Sequence, residues 1–218
     1  MTTSICSAFP LNRQSSGAIR QNPGYRKLVL LILALAFVLA GCNPQEPQPS
    51  FHATDITGAG FARSFNLTDH LGNKRTLADF KGKVVVLFFG YVHCPDICPT
   101  TLSELAAVMN KLGPDAGKVQ VLFVTLDPER DTQAVLARFV PAFNPAFLGL
   151  YGSPEQISET MKEYKLVVQK QAGKRKEDYT LDHSAGTYIY DRQGRLRLYA
   201  SYDQGVDALA EDIGALLR

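Results

Sequence analysis

Two stretches of the chain are apolar almost without a break. They are "VVVLFF" at 84–89 and "VQVLFVTL" at 119–126. Runs of this length, rich in β-branched and aromatic residues, predict strands covered on both faces. Between them Leu102, Leu105, Val108, Met109 and Leu112 recur at helical spacing, which predicts an amphipathic helix. Thr101 and Glu104 read as a capping box at its start, and Gly113-Pro114 as its stop. Further helices are expected over 132–143, ending near Pro141; over 154–164, opening at Ser153; and over 206–217. Residues 187–199 read as a hairpin turning at Gln193-Gly194. Residues 67–83 read as a short N-terminal hairpin, bent at Gly72-Asn73, followed by a helical turn. Strand, helix, strand, helix, hairpin and helix is an α/β pattern: a mixed central sheet flanked by helices, with a hairpin added at the front.

The start of the chain has a different pattern. Basic Arg26-Lys27 precede "LVLLILALAFVLAG" at 28–41, an apolar run of fourteen residues. That is the layout of a secretory signal peptide, and it is short of the ~20 residues an ordinary spanning helix needs. An uncleaved signal anchor is the plainer alternative. The run closes in "LAGC" at 39–42, which resembles a bacterial lipobox, where the chain is cut before the cysteine and its thiol takes lipid. "NPQEPQPS" at 43–50 carries three prolines, a composition suited to a semi-rigid tether. The expected organisation is a signal peptide over 1–41, a lipidated Cys42 and tether over 42–50, and a folded domain over 51–218. The domain would be exported, held by lipid on a bacterial membrane and facing the periplasm.

This division changes the meaning of the charge. The whole chain has 23 Lys+Arg and 21 Asp+Glu, a net of +2. Four of the basic residues (Arg13, Arg20, Arg26 and Lys27) precede Cys42, with no acidic residue among them. The remainder is therefore net −2, with no basic stripe interleaved with aromatics, and nucleic acid is not an expected partner. The basic stretch "QKQAGKRKED" at 169–178 is either a solvated loop or a docking point for an acidic partner.

Cys94 and Cys98 are the only cysteines of the expected domain. They lie between the first buried strand and its helix, at the carboxyl end of a strand, where α/β sheets build their sites. In an oxidising compartment a structural disulfide is the plain reading, but so short a loop gives little stabilisation. A cysteine at a helix start is expected to have a lowered pKa, and Cys98 takes that place. Two preorganised thiolates are either a redox pair or two metal ligands. Thioredoxin-like oxidoreductases set a proline opposite their cysteines, and here none follows Pro154. The proline and hydroxyl spacing around a peroxidatic cysteine is also missing. "LDHSAG" at 181–186 instead puts His183 before the strand at 187. Two thiolates and an imidazole suit Cu(I) or Cu(II), with zinc as the competitor. His183 reads as a ligand or as a hydrogen-bonded loop histidine. His93 adjoins Cys94 but points elsewhere if the loop is extended. His52 and His70 lie in polar, turn-rich stretches and read as solvated.

"DITGAGF", "LTDHLGNKRTLADFKGKVVVLFFGYVHCPDICPTTLSEL", "VTLDPERDT" and "LDHS" together resemble the Sco/SenC family, from about residue 51 to the C-terminus. The resemblance implies a thioredoxin-like fold and a copper metallochaperone, rather than an enzyme with turnover. Its cargo, as Cu(I) or Cu(II), is held by Cys94, Cys98 and His183. It serves the dinuclear copper centre of cytochrome c oxidase, so the implied partner is the copper-A-bearing subunit. Another periplasmic copper carrier or a thioredoxin-like reductant would be a further partner. A Cys94–Cys98 disulfide would gate binding, and Asp127 matches an aspartate kept close to the site. Asp127-Pro128 is also ordinary turn chemistry at a strand end. The alternative function is a thiol–disulfide oxidoreductase that keeps the oxidase's own ligand cysteines reduced.

Overall fold

The computed structural model describes residues 50–218 except 176 and 177, together with Gly24 and Lys27. Apart from Gly24, Lys27 and Ser50, the expected signal peptide, the lipidation site Cys42 and the expected tether lie outside the described residues. The chain divides into Met1–Gln48 and Pro49–Arg218, and the second unit carries the elements below. No helix among the described residues is long and apolar enough to cross a membrane.

The strands are β1 (Thr54–Asp55), β2 (Asn66–Asp69), β3 (Lys74–Thr76), β4 (Val84–Gly90), β5 (Val119–Thr125), β6 (Leu148–Tyr151), β7 (Val168–Gln171), β8 (Thr180–His183), β9 (Thr187–Tyr190) and β10 (Leu196–Ala200). The helices are α1 (Ile97–Leu112), α2 (Gln133–Phe139), α3 (Pro154–Glu163) and α4 (Val206–Leu217). Eight strands form one mixed sheet in the order β1-β10-β9-β4-β5-β6-β2-β3. β4 runs parallel to β5 from Val84↔Val119 to Gly90↔Thr125, and β5 is parallel to β6. On its other side β4 pairs antiparallel with β9, Leu87 opposite Tyr188. The expected N-terminal hairpin is β2–β3, at one edge of the sheet.

Strand periodicity sorts the core into two layers. Val84, Val86 and Phe88 pack with Leu102, Leu105 and Val108 of α1, Leu136 of α2 and Leu209, Ile213 and Leu216 of α4. Val85, Leu87 and Phe89 face the other way, onto Ile157 of α3, Tyr164, Tyr188 and Tyr190. Both faces of β4 are thus covered, which is why its sequence does not alternate. Each such side chain contributes about 1.5–3 kcal/mol relative to leaving it exposed. The buried tyrosines keep their polar ends satisfied. Tyr190 donates to the Ala62 carbonyl at 2.8 Å, and Tyr188 to that of Tyr164 at 3.0 Å.

Several expectations shift. α1 starts four residues before Thr101, with Asp96 as its N-cap residue. Pro99 is tolerated because it stands in the first turn, where an N–H has no intrahelical partner. Thr101 donates to the Ile97 carbonyl at 2.9 Å instead of capping. α2 stops at Phe139 and tightens into a 3-10 turn, Val140–Ala142, around Pro141. α3 opens as expected, with Ser153 and Gln156 in a reciprocal capping box. The basic stretch at 169–178 is not simply a loop. Its first residues form β7, which pairs with β8 in a separate two-stranded ribbon, Val168 opposite His183. The ribbon is largely solvent-facing, so it lacks the apolar alternation that marks a half-buried strand. His70 is not solvated but buried, and its Nδ1 accepts the Gly149 N–H at 3.0 Å.

Candidate metal centre

β4 ends at Gly90, and a Cβ there would stand 2.8 Å from Cys98 Sγ and 2.9 Å from the Phe123 ring. Glycine is what lets the start of α1 close onto the strand end. After it the chain turns, with Cys94 N–H donating to the Tyr91 carbonyl at 3.2 Å, and enters α1. Cys94 is half-buried; Cys98 is fully buried.

The helix start acts on the two sulfurs differently from expectation. Cys98 N–H points at Cys94 Sγ, 3.4 Å away. The favourable amide environment of the helix N-terminus is therefore given to Cys94. Cys98 Sγ turns inward against Gly90, and burial, followed by a hydrogen bond with Cys94, pushes its thiol well above the usual range. The expectation of a lowered pKa at Cys98 is therefore corrected: the cost of burying a thiolate outweighs the helix terminus. The Cys98 N–H to Cys94 Sγ contact ties the two cysteines together across the helix start.

His183 is the last residue of β8. Its Nδ1 lies 2.9 Å from the Ser184 carbonyl, an acceptor, so Nδ1 carries the proton and Nε2 keeps a lone pair. Burial holds the imidazole pKa below its ordinary value, against the opposing effects of Ser184 and Asp182. A neutral imidazole with one nitrogen free is the form that binds a metal. Cys94 and His183 line one pocket of about 330 Å³, with Tyr91, Pro95, Ile97 and Leu181 among its walls. The Tyr91 and His183 rings meet edge-on at 6.3 Å. No three His, Cys, Asp or Glu side chains among the described residues stand close enough to hold a metal ion in this geometry. The structure thus brings Cys94 to Cys98 and to one pocket with His183, but does not bring all three to one point.

Asp127 is buried just past β5. Its Oδ1 accepts the Tyr179 hydroxyl at 2.7 Å, and its Oδ2 pairs with Arg130 Nε. Asp131 is buried beneath the cysteine loop. One oxygen accepts the Thr125 hydroxyl at 2.6 Å and Val92 N–H at 3.0 Å, and burial raises the carboxyl pKa. His93 is exposed and does not line the pocket; its Nδ1 is 3.9 Å from Asp131. His52 is exposed and meets Glu211 at 2.9 Å, away from the site. Sequence reasoning passed over Tyr91, Arg130, Asp131 and Tyr179. The available signal was "DPERD", a dense polar cluster directly after a buried strand.

The family described as SCO1/SenC matches residues 53–218. The chain belongs to the SCO1/SenC family. The mitochondrial SCO2 homologue of Bos taurus is 40% identical over 205 residues, covering 88% of this chain and 76% of the relative. That of Mus musculus is 34% identical over 203 residues, covering 89% and 80%. Among solved structures, copper-bound ScoI of Bradyrhizobium japonicum is 39% identical, with a TM-score of 0.66 over 71% of this chain and 98% of that one. Apo Sco1 of Thermus thermophilus, also 39% identical, gives 0.69 over 78% and 99%. The fold is thioredoxin-like, as in these family members, and the cysteine loop and His183 both lie inside the matched region.

Proposed function

We propose that this chain is a copper metallochaperone: Cys94, Cys98 and His183 bind one copper ion and pass it to the copper-A-bearing subunit of cytochrome c oxidase. The observation that carries the reading is the shared pocket. A half-buried cysteine and His183 line it, and the Cys94 sulfur accepts the N–H of the second cysteine. Two soft thiolates hold Cu(I) alone, and Cu(II) adds the nitrogen. Relatives at 39% and 34% identity are solved with copper bound, which supports copper as the cargo. Coordination requires Cys94 and His183 to draw together and Cys98 to lose its proton, so affinity rises with pH. Oxidation to a Cys94–Cys98 disulfide removes both thiolates and so gates binding. The domain is exported and tethered through lipid on Cys42 after removal of 1–41, facing the periplasm. There a copper carrier or a thioredoxin-like reductant would recharge it.

The placing of two free cysteines in one helix start, the N–H of one on the sulfur of the other, favours one second reading, a thiol–disulfide oxidoreductase that keeps the oxidase's ligand cysteines reduced. One comparison separates the two, using the full chain. Copper-loaded protein is mixed with an apo copper-A domain that has been reduced, and metal-free reduced protein with the same domain oxidised to its disulfide. The chaperone reading expects metallation in the first mixture and slow reduction in the second, with negligible insulin-type reductase activity. Rapid reduction without metallation reverses the assignment. Cys94→Ala or Cys98→Ala abolishes tight binding. His183→Ala weakens Cu(II) more than Cu(I). Asp127→Asn leaves copper bound and slows its loading or delivery.

A further inference from the structure

The β7–β8 ribbon that carries His183 is not part of the main sheet, so something else must set where the imidazole sits. Several of its ties run to a single turn, the one after β5. The Tyr179 hydroxyl, one residue before β8, donates to Asp127 Oδ1 at 2.7 Å. Arg130 Nη1 donates to the Tyr179 carbonyl at 3.0 Å, and its guanidinium lies 3.5 Å from the centre of the Tyr179 ring. From the ribbon's other strand, Lys170 reaches Glu129 at 3.5 Å and also stands 3.6 Å from the Tyr179 ring centre. Tyr179 is buried although its neighbours Asp178 and Thr180 are exposed. The same turn supports the cysteine loop from below, through Asp131 and Val92 N–H. Arg130 also stands 5.9 Å from the Tyr91 ring, which in turn meets His183.

We propose that Tyr179 is a positioning residue for copper: it clamps the His183 ribbon to the Asp127–Asp131 turn and so fixes the distance between the imidazole and the cysteine loop. Only three residues, Thr180 to Asp182 of β8, separate Tyr179 from His183. A bond at Tyr179 is therefore read out at His183. The ties are mostly charge-assisted or stack a cation on the ring, so they are stronger than neutral contacts. This inference rests on the copper reading for its consequence, but the clamp itself exists without metal.

Tyr179→Phe removes the hydroxyl and keeps the ring. In the full chain without metal, amide exchange of residues 180–183 is expected to quicken by roughly five- to tenfold, the effect of one lost buried hydrogen bond on local opening. Exchange in β4 and β5 stays as in the wild type. With copper, the Cu(II) charge-transfer and EPR signals move towards those of His183→Ala, and Cu(II) affinity falls roughly tenfold. Cu(I) affinity changes by less than about twofold, because the thiolates are untouched. Unchanged exchange at 180–183 overturns the clamp. So does faster exchange spread evenly through the core strands, which would make Tyr179 only a packing residue. So does quicker ribbon exchange with an unaltered Cu(II) spectrum. A wild-type chain that takes up no copper refutes the proposed function instead, and the exchange measurement still decides the clamp. Should Tyr179→Phe not fold, Arg130→Gln, which loses the bond to the Tyr179 carbonyl, carries the same two measurements.

Discussion

Cys94 and Cys98 share a loop but not a chemistry. Cys94 is half-buried and takes the helix-start N–H, while Cys98 is enclosed with a thiol pushed up by burial. Alkylation of the reduced chain at neutral pH should therefore label Cys94 first and Cys98 slowly. Peptide mass spectrometry over time gives the order, and equal rates would contradict this account of the loop. His70 gives a pH prediction of its own. Its Nδ1 accepts a backbone N–H, so protonation there breaks that bond, and burial holds its pKa below 6.5 against the opposing charge of Asp69. A histidine with a lowered folded pKa gives its full stability above the unfolded value near 6.5, and loses it as pH falls below that value. The melting temperature should drop between pH 7.5 and 5.5, and His70→Asn, which can still accept the Gly149 N–H, should lessen the drop. His183 shifts in the same direction, so part of the drop remains. If His70→Asn leaves the full drop in place, His70 is not its source. The cysteines and His183 were legible because their types are rare and chemically loaded. His70 was misread because "TDHLGN" looks like an open turn, and only the pairing of β2 with β6 covers it.

The long apolar runs, β4 and β5, were read almost to the residue, since burial on both faces leaves no other composition. α4 was also read to its bounds. β6 and the β7–β8 ribbon were not recognised as strands. Four-residue strands carry too few positions to show a period, and the ribbon buries little. The Sco/SenC resemblance implies a ligand set but not this ribbon, which turns His183 from a loop residue into the end of a strand. The joint between β4 and α1 is where element packing most directly shapes the site. Gly90→Ala would press a methyl onto Cys98 Sγ and the Phe123 ring, both fully buried. Overpacking of this kind costs about 1–3 kcal/mol. Chemical denaturation of the reduced chain should show that loss, with copper affinity falling as Cys98 is displaced. A variant as stable as the wild type would mean that the helix start is looser than its contacts indicate.

The two ends of α1 give the whole domain a direction. Its first turn holds Cys98; its last residues, Lys111 and Leu112, line a groove of about 590 Å³ together with Ser50, His52 and Arg218. Sixteen residues of helix span ~24 Å. The start of the domain is pinned at that far end, where Asp212 of α4 accepts the N–H groups of His52 and Ala53 at 2.9 and 2.7 Å. If residues 42–49 are the proposed tether, it joins the domain at the end of α1 away from Cys98. A Pro-rich stretch of eight residues reaches at most roughly 25 Å, at 3.1 Å per residue. Under the proposed function, tether and helix together would set the height at which copper is presented. If lipid on Cys42 is the anchor, deleting residues 43–48 lowers that height without touching the site. Copper transfer to a soluble apo copper-A domain should then be unchanged. Transfer to the same domain in a membrane-embedded oxidase subunit, with both proteins in one vesicle, should slow several-fold, because the partners no longer meet at matching heights. Equal transfer rates in the vesicle before and after the deletion would show that reach does not limit delivery. Slowing in both assays would place the defect in the domain rather than in the tether.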